Sequence, residues 1–371
     1  MRIAVDATSL LDVRTGVGNF TDAVVRGLAG RADVTTTVFP VSLRGHRRLR
    51  AQAPPGVRVV TPPLPARLLR KAWLATGRPS LDPFIGRHDV VYGPNFVVPP
   101  SRSVRVVTVH DLTSVRFPEL CTDDTRQYPS LLRRAIADGA WIHTVSAAVR
   151  DEVLDEFDVR PERVVAVPNG FRPIPDVDPA RGTALAGRAD FALAVGTVEP
   201  RKDLPTLVRA VDLAADEGLE IPLVHVGPPG WGTDELDAAI ADMRRPDLVV
   251  RLGSLAQPEL DALYRSARLL AYPSRYEGFG LPVLEAMSAG TPVVATDDPA
   301  IAEVAGGAAH LVTSNDPAAL AAGIRRVWTD DGHRETMIEA GTRRAGEYSW
   351  DRCVDGLVEL FSAAVADRRS R

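Results

Sequence analysis

The chain has 371 residues, of which 45% are hydrophobic and 25% are charged, and its formal net charge is −4. This length suits two domains of ordinary size, and the composition is typical of a soluble globular protein, which excludes long disorder, collagen and disulfide-rich scaffolds. No run approaches the roughly 18 apolar residues of a membrane-spanning helix, and the N-terminus does not resemble a secretion signal. We therefore expect a cytoplasmic protein.

Positive charge is concentrated in the first half of the chain. Residues 1–172 hold 24 Lys and Arg against 17 Asp and Glu, whereas the remainder holds 20 against 31. Residues 34–81 contain no acidic residue and nine cations: Arg44, Arg47, Arg48, Arg50, Arg58, Arg67, Arg70, Lys71 and Arg78. Such a stretch either attracts anionic lipid head groups or a phosphorylated acceptor, at about 1 kcal/mol per charge near an anionic surface, or is a solvated face. A peripheral contact with the inner face of the plasma membrane is thus one of two open interpretations, and nucleic acid is not an expected partner.

In the first half, short runs rich in Val, Ile and Leu alternate with segments of helical period. The predicted strands are residues 3–5, 34–39, 57–60, 90–92, 104–109, 142–145 and 164–167, with helices over 17–28 and 147–157 among them. Strands without polar alternation are buried on both faces, as in a parallel sheet covered by helices. The pattern predicts a doubly wound α/β domain over residues 1–172.

A stretch rich in proline and glycine follows, and we interpret residues 173–188 as an interdomain linker. The same alternation then restarts and predicts a second wound domain over 189–346. Its strands are residues 191–195, 223–226, 248–252, 269–272 and 293–295, and its helices are 204–215, 235–243, 258–266, 282–289 and a segment from 317 onward. In 347–371, apolar residues recur at spacings of 3, 4 and 7 residues, which predicts an amphipathic helix whose apolar face must dock elsewhere.

The segment EGFGLPVLEAMSAG, residues 277–290, predicts an anion site at a helix N-terminus. Pro282 suits the first helical position and Gly290 the residue after the end. No Ser, Thr, Asp or Asn stands at the expected cap, and Gly278 and Gly280 place no side chain at the entrance. The first N–H groups of such a helix are open to a phosphate.

Two glutamates flank this entrance. Glu285 lies about one turn into the helix, where a carboxylate can accept two hydrogen bonds from a ribose diol. Glu277 lies in the loop and could hold another hydroxylated group. The alternative is that Glu285 only complements the helix dipole and the glycines only form a turn.

The loop after the strand 191–195 reads GTVEPRKD, residues 196–203. Asp203 is the expected N-cap of the next helix, so an anion near this loop must be held by the side chains of Arg201 and Lys202. A guanidinium and an ammonium at the end of a strand suit a diphosphate. A solvated basic pair that balances neighbouring acids is the alternative.

Two features of the first half are weaker signals. Gly16 and Gly18 in TGVGNF, residues 15–20, form half of a dinucleotide fingerprint, which Thr21 breaks. His110 follows the strand 104–109 and could hydrogen-bond to substrate hydroxyls, although a lone histidine is more often structural. The remaining histidines and the two cysteines show no metal-ligand spacing, and no signature of a Ser or Cys nucleophile occurs.

Together these segments resemble the retaining nucleotide-sugar glycosyltransferases of family 4, which have the GT-B fold. The matching stretches are TGVGNF (15–20), VHDL (109–112), TVSAAVRDEV (144–153), VPNGF (167–171), VGTVEPRKDL (195–204) and YPSRYEGFGLPVLEAMSAGTPVVAT (272–296). The resemblance implies two Rossmann-like domains that face each other across a cleft, with the acceptor side in 1–172 and donor binding in 189–346. It also implies that the final helix, 347–371, crosses back to the first domain.

The resemblance implies a role for each candidate residue. Arg201 and Lys202 neutralise the donor diphosphate, Glu277 contacts donor sugar hydroxyls, Glu285 binds the ribose, and His110 meets the transferring sugar. The remaining donor-binding residues are Gly16, Gly18, Gly196, Thr197, Gly278, Phe279, Gly280 and Leu281.

The reaction so implied moves a hexose, with retention, from a nucleoside diphosphate sugar to a hydroxyl of a glycan or lipid-linked acceptor. No metal and no other cofactor are expected, because the two cations carry the charge of the diphosphate. The spelling GTVEPRK looks most like mannosyltransferases of polysaccharide assembly, which makes GDP-mannose the leading donor. Two alternatives remain: a nucleotide-sugar epimerase of the same fold and a non-catalytic nucleotide-sugar binding protein.

Overall fold

The computed structural model describes residues 1–11 and 16–370. These residues form two compact units, one made of Met1–Gly170 and Ser349–Arg371 and the other of Phe171–Tyr348. The chain enters the second unit after Gly170 and leaves it after Tyr348. The boundaries predicted from the sequence, after residues 172 and 346, each lie two residues away. In the described part of the chain, no helix is long and apolar enough to cross a membrane.

The first unit contains a seven-stranded sheet in which every paired strand is parallel. Its strands are β1 (Arg2–Asp6), β2 (Thr35–Phe39), β3 (Arg58–Val59), β4 (Val90–Gly93), β5 (Val104–Val109), β6 (Trp141–Thr144) and β7 (Val164–Ala166). Seven of its helices precede the second unit in the chain: α1 (Gly16–Ala29), α2 (His46–Gln52), α3 (Ala66–Thr76), α4 (Asp82–Ile85), α5 (Thr113–Arg116), α6 (Tyr128–Ala137) and α7 (Ala147–Glu156). The strand order β3-β2-β1-β4-β5-β6-β7 places the topological switch point between β1 and β4.

The second unit contains a six-stranded sheet that is also parallel throughout. Its strands are β8 (Ala192–Val195), β9 (Leu223–Val226), β10 (Val249–Gly253), β11 (Leu269–Tyr272), β12 (Val293–Thr296) and β13 (His310–Val312). Its helices are α8 (Pro179–Ala186), α9 (Leu204–Asp216), α10 (Thr233–Ala241), α11 (Gln257–Ser266), α12 (Leu281–Ser288), α13 (Pro299–Ala305), α14 (Pro317–Thr329) and α15 (Asp331–Ala345). The order β10-β9-β8-β11-β12-β13 places its switch point between β8 and β11.

Burial on both faces explains the apolar runs from which the strands were predicted. In β1, Ile3 and Val5 belong to one hydrophobic core, whereas Ala4 between them belongs to another on the opposite face of the sheet. A strand covered on both sides has no solvated face and therefore no polar alternation. The predicted architecture of two doubly wound α/β domains is confirmed.

The last helix, α16 (Trp350–Arg369), completes a core of the first unit. Ser349 caps it by accepting a hydrogen bond from the Arg352 N–H at 3.2 Å. The apolar stripe predicted from residue spacing is buried among residues of α1, β1 and β4, and the ring of Phe361 lies 5.0 Å from that of Tyr92.

The predicted linker 173–188 is wrong in one respect, because α8 lies within it. Asp178 caps this helix by accepting from the Ala180 N–H at 2.9 Å, Pro179 occupies its first turn, and Gly187 ends it in a left-handed conformation. The proline and glycine that indicated a linker are therefore the start and stop signals of a short helix. Gly182 lets α8 approach α11 closely, since a Cβ there would lie 1.9 Å from the Ser266 hydroxyl and 2.2 Å from the Ala262 carbonyl oxygen.

We expect Gly182→Ala to destabilise the second unit by about 1–3 kcal/mol, because the added methyl group overpacks the contact between α8 and α11. The matched control is Gly332→Ala in α15, where a Cβ would meet no atom closer than 3.7 Å. The control should be neutral or stabilising by up to about 1 kcal/mol, the ordinary difference in helix propensity. Urea unfolding followed by circular dichroism measures both, and equal effects would contradict the close contact.

Candidate functional site

The candidate site lies at the carboxyl ends of β8 and β11, at the switch point of the second unit. Ligands of open α/β sheets bind in the crevice outside this position, because the loops there diverge to opposite faces of the sheet. The loops concerned are 196–203 after β8 and 273–280 after β11. The Arg275 N–H donates to the Arg201 carbonyl oxygen at 2.8 Å and so joins the two loops.

Glu277 binds both predicted cations. Its Oε2 accepts from Arg201 Nη1 at 2.9 Å and its Oε1 accepts from Lys202 Nζ at 2.5 Å, and its side chain is only 9% exposed. Arg201 Nε also donates to Glu199 Oε2 at 3.1 Å. The structure thus brings Glu277 together with the predicted cation pair of the other loop, and this contact was not expected.

Tyr272, the last residue of β11, completes this cluster and was missed by the sequence analysis. Its hydroxyl donates to Glu277 Oε1 at 2.8 Å and accepts from Lys202 Nζ at 2.7 Å. The sequence offered one signal for it, a tyrosine at the end of an apolar strand. A phenol buried there requires a hydrogen-bond partner, which indicates a polar neighbour.

The cations hold Glu277 in its ionised form. Burial alone would raise the pKa of Glu277, but Arg201 and Lys202 outweigh it and lower the pKa to about 2. Burial lowers the pKa of Lys202, and the nearby carboxylate of Glu277 opposes that shift. At neutral pH the cluster therefore contains an ionised carboxylate between two cations.

Asp203 does not cap α9 as predicted. It stands at the N-cap position with φ +48°, but its side chain accepts no hydrogen bond from a backbone N–H of the helix. Its Oδ1 accepts from Thr206 Oγ1 and from Arg275 Nη2, each at 2.9 Å. The Asp203 carboxylate therefore holds the loop after β11 in place, because Arg275 of that loop binds it instead of the N-terminus of α9.

Gly196 and Thr197 form the turn that carries the cations outward from β8. Gly196 has φ +148°, a conformation that L side chains rarely adopt, and the Lys202 side chain packs over it. His225 Nε2 donates to the Gly196 carbonyl oxygen at 2.9 Å, and Gly227 approaches that oxygen so closely that a Cβ would lie 1.8 Å from it. His225 and Gly227 are positioning residues that no local sequence pattern indicated.

The α12 N-terminus lacks a side-chain cap, as predicted, and the helix begins at Leu281, one residue earlier than expected. Its N-cap is Gly280 with φ +95°, and no side chain hydrogen-bonds to the cap. Phe279 is buried, with its ring 5.7 Å from that of Tyr348 in an edge-on contact. Asp298 holds the loop from the other side, since its Oδ2 accepts from the Glu277 N–H at 3.3 Å.

Glu285 belongs to a separate group of polar side chains. Its Oε2 accepts from the Tyr264 hydroxyl of α11 at 2.8 Å. Burial raises the pKa of Glu285, while Tyr264 and the charge of Arg172 oppose that shift. The structure therefore shows two carboxylates in different environments, one bound to cations and one bound to a phenol.

In the first unit, His110 lies after β5 as predicted. Its Nε2 donates to the Pro94 carbonyl oxygen at 2.7 Å, and its ring meets that of Phe20 edge-on at 5.0 Å. Burial lowers the pKa of His110, so the imidazole is neutral at physiological pH. Gly16 and Gly18 lie in the first turn of α1, which begins one residue before the predicted helix 17–28, and Thr15 is outside the described residues.

Across residues 1–11 and 16–370, no group of three or more His, Cys, Asp or Glu side chains is arranged to hold a metal ion.

Glu277→Gln should destabilise the second unit by about 3 kcal/mol at pH 7, because it leaves two partly buried cations without their shared counter-charge. The pKa of Glu277, about 2, lies below its ordinary value of 4.5, so the carboxylate stabilises the fold above pH 4.5 and this contribution is lost as pH falls toward 2. Urea unfolding at several pH values measures the difference. The control Glu339→Gln, at an exposed position of α15, should stay within about 0.5 kcal/mol of wild type; a similar effect of both would contradict the role of the buried pair.

Two family models match the chain. The model described as "Glycosyltransferase Family 4" matches residues 14–173, and the one described as "Glycosyl transferases group 1" matches residues 181–344. Together they cover most of both units and leave out residues 1–13 and 345–371.

Among curated relatives, the chain is similar to the O-antigen chain mannosyltransferase B of Escherichia coli, with 32% identity over 73% of this chain and 74% of that protein. It is 33% identical to a D-inositol 3-phosphate glycosyltransferase of Salinispora arenicola over 70% of this chain, but the match spans only 64% of that protein. Among solved structures, Anabaena HepE in complex with UDP and glucose superposes with a TM-score of 0.73 over 98% of this chain and all of that one, at 19% identity, which shows the fold alone. The chain therefore belongs to the family 4 glycosyltransferases, with two Rossmann-like units of the GT-B type, and it is a glycosyltransferase.

Proposed function

We propose that this enzyme transfers a mannosyl group from GDP-mannose, with retention of the anomeric configuration and without a metal ion, to a hydroxyl of a glycan or lipid-linked acceptor. The observation that carries the proposal is the cluster at the switch point of the second unit, where Arg201 and Lys202 both donate hydrogen bonds to Glu277. The N-terminus of α12, which has no side-chain cap, follows the same loop.

The chemistry requires stabilisation of the leaving group. Breaking the anomeric C–O bond leaves negative charge on the departing nucleoside diphosphate, and fixed cations and helix N–H groups stabilise that charge selectively in the transition state. An ammonium has three donors, and Lys202 gives two of them to Tyr272 and Glu277, so that among the described residues the third is unused and suits a phosphate oxygen. In this proposal the Lys202 ammonium and the Arg201 guanidinium bind the diphosphate directly, which makes a divalent metal ion unnecessary.

The two glutamates serve different parts of the donor in this proposal. Glu277 keeps the cations in position and accepts from sugar hydroxyls, with the backbone of Gly278, Phe279, Gly280 and Leu281 beside it. Glu285 binds the ribose, since Tyr264 donates to Oε2 and leaves Oε1 to accept from the diol. In the first unit, the neutral His110 meets the transferring sugar, and Gly16 and Gly18 contribute the start of α1.

The choice of mannose rests on resemblance. The relative from Escherichia coli is named a mannosyltransferase, and the segment GTVEPRK resembles that of mannosyltransferases of polysaccharide assembly. Experiment distinguishes a transferase from the two alternatives of the same fold. A nucleotide-sugar epimerase converts the donor without an acceptor, and a non-catalytic binding protein binds the nucleotide without turnover.

We expect Lys202→Ala and Glu277→Ala each to lose at least ~2 kcal/mol of transition-state stabilisation, or about 30-fold in kcat/KM, because each removes part of the charged cluster. Arg209→Ala is the control, since Arg209 is an exposed cation of α9, the helix that follows the loop. Release of GDP from GDP-mannose in the presence of a mannoside acceptor measures the rate. Wild-type turnover in both cluster variants would refute the assignment.

Three further measurements test the finer parts of the proposal. A thermal-shift panel of GDP, UDP and ADP reports the base, because a ligand bound to the folded state raises its stability by mass action. Activity should persist in EDTA, and NMR of the first-formed product should show the anomer of the donor. A stronger shift with UDP contradicts the choice of GDP, loss of activity in EDTA contradicts metal independence, and an inverted product contradicts retention.

We further propose that the basic segment 44–78 contacts an anionic membrane at the cytoplasmic side. Helix α3 buries Leu69 and Trp73, while Leu68 on its other face is 67% exposed between cations. Leu43 is 60% exposed, and its segment adjoins α3 because the Leu64 N–H donates to the Ser42 carbonyl oxygen at 3.3 Å. Exposed leucines beside Lys and Arg are typical of helices that lie in a membrane interface.

Binding to vesicles should require anionic lipid and weaken as salt rises, because Debye screening reduces the attraction of exposed charges. Sedimentation with phosphatidylglycerol vesicles and with neutral phosphatidylcholine vesicles measures it. Leu68→Glu should reduce binding, and the control Leu213→Glu, at a half-exposed site in the second unit, should not. Equal binding to both lipids would exclude an electrostatic cause.

A further inference from the structure

A groove of about 730 Å³ lies at the amino ends of the strands of the first unit. Its lining comes from residues beside the starts of β1, β4 and β5, from α4 and from the last turn of α16. The candidate residue His110 lies at the opposite end of the sheet, after β5, whose six residues span about 17 Å. This groove, which we call the arginine groove, is therefore separate from the sites described above.

Positive charge dominates the arginine groove. Its lining contains five arginines against two aspartates: Arg2, Arg87, Arg102, Arg368 and Arg369 against Asp82 and Asp89. Burial lowers the pKa of His88, which also lines the groove, and the charges of Arg2 and Arg58 act in the same direction, so this imidazole is neutral. The formal excess is three positive charges, of which the negative end of the α16 dipole offsets only about half a charge.

Both aspartates of the groove bind groups of the protein itself. Asp82 Oδ1 accepts from the Ser101 hydroxyl, and its Oδ2 accepts from the Arg102 N–H at 2.8 Å. Asp89 Oδ2 accepts from the Arg2 N–H at 2.7 Å, and its Oδ1 lies 3.7 Å from the Arg2 guanidinium. These bonds hold the segments before β4 and β5 in place, and they engage the carboxylates chiefly with backbone N–H groups.

Four arginines of the groove have side-chain donors that the described residues do not use. Within residues 1–11 and 16–370, the guanidinium groups of Arg87, Arg102, Arg368 and Arg369 form no ion pair and no hydrogen bond. Elsewhere in this unit an exposed arginine is paired, as Arg133 is with Glu156 at 2.6 Å. Each guanidinium presents five N–H donors in a planar fork that matches two oxygens of a phosphate.

The distribution of these arginines favours an anion with more than one phosphate group. One of the four follows α4, one precedes β5 and two lie in α16, so the unused donors belong to three separate segments. An anion with several phosphates can bind donors of separate segments at once, because each phosphate accepts bidentately from one guanidinium. The volume of the groove is also within the range of sites for small ligands.

We propose that the arginine groove binds an anion that carries two or more adjacent phosphate groups, with Arg87, Arg102 and Arg368 as its main contacts. The proposal does not rest on the glycosyl transfer proposed above, since none of these residues belongs to the candidate site. A free oligophosphate and the head group of a lipid with two phosphates offer the same chemistry, and the experiments below distinguish them.

Calorimetric titration of the full chain with inorganic tripolyphosphate measures binding. We expect saturable binding that weakens as salt rises, because salt screens exposed charges, and binding of orthophosphate at least about tenfold weaker. Arg102→Gln and Arg368→Gln should each weaken tripolyphosphate binding by about threefold, and both together by about tenfold. The matched control Arg160→Gln removes an exposed arginine of the same unit that lies outside the groove, and it should leave binding unchanged.

Three results would overturn the proposal. Equal affinity of the wild type and the double variant would exclude the arginines as contacts, and equally tight binding of hexaglutamate would exclude a preference for phosphate. Lys202→Ala covers the third case, because the cation cluster of the second unit also suits linked phosphates. Tripolyphosphate binding at the groove should persist in Lys202→Ala, and its complete loss there would assign all binding to the cation cluster.

Vesicles distinguish the two sources of phosphate. Sedimentation with vesicles that contain cardiolipin, a lipid with two phosphates, is compared for the wild type and the double variant. If the double variant loses both vesicle binding and tripolyphosphate binding, the ligand is a lipid head group; if it loses only tripolyphosphate binding, the ligand is a soluble oligophosphate. Leu68→Glu is the control, since it changes the basic segment 44–78 and should leave tripolyphosphate binding unchanged.

Discussion

A buried carboxylate shared by two cations determines how the candidate site of this glycosyltransferase is built. Removing charges from water costs several kcal/mol for each ion, and only close pairing with further hydrogen bonds offsets that cost. Glu277 meets this requirement by binding Arg201 and Lys202 at once, and the Tyr272 hydroxyl bridges the ammonium and the carboxylate. The loops after β8 and β11 are consequently held as one piece, and the cations have fixed positions before any substrate arrives.

Parallel sheets of the same winding explain why each unit has a polar site at the same place. In both units the chain starts at a central strand, winds outward in one direction and then begins again on the other side, so that neighbouring loops separate at β1 and β4 and at β8 and β11. The charged side chains at these two crevices differ. The second unit brings two cations with a shared carboxylate to its crevice, whereas the first unit brings Asp6 and Arg70 to its own.

The parts of this arrangement that depend on local pattern were predictable from the sequence. Continuous apolar runs identified most of the strands, and Pro282 with Gly290 placed α12 to within one residue. The contact between Lys202 and Glu277 was not predictable, because it joins residues 75 positions apart and depends on which strands are neighbours. Two local signals gave wrong predictions because each is compatible with two structures. Pro179 and Gly187 mark the start and the end of a helix rather than a linker, and Asp203 binds Arg275 rather than the terminus of its own helix.

The C-terminal helix gives the first unit a discontinuous core with a consequence for biosynthesis. Leu357, Leu360 and Phe361 of α16 fill a hydrophobic core with Ile3 and Val5 of the first strand, although the whole second unit lies between them in the chain. Domains fold as units while the ribosome adds residues from the N-terminus onward. The part of the first unit that is made first therefore exposes an apolar groove to water until the second unit and α16 have been made. Closure of this core follows the synthesis of α16, and β1 lacks its covering helix for as long as the second unit is being made.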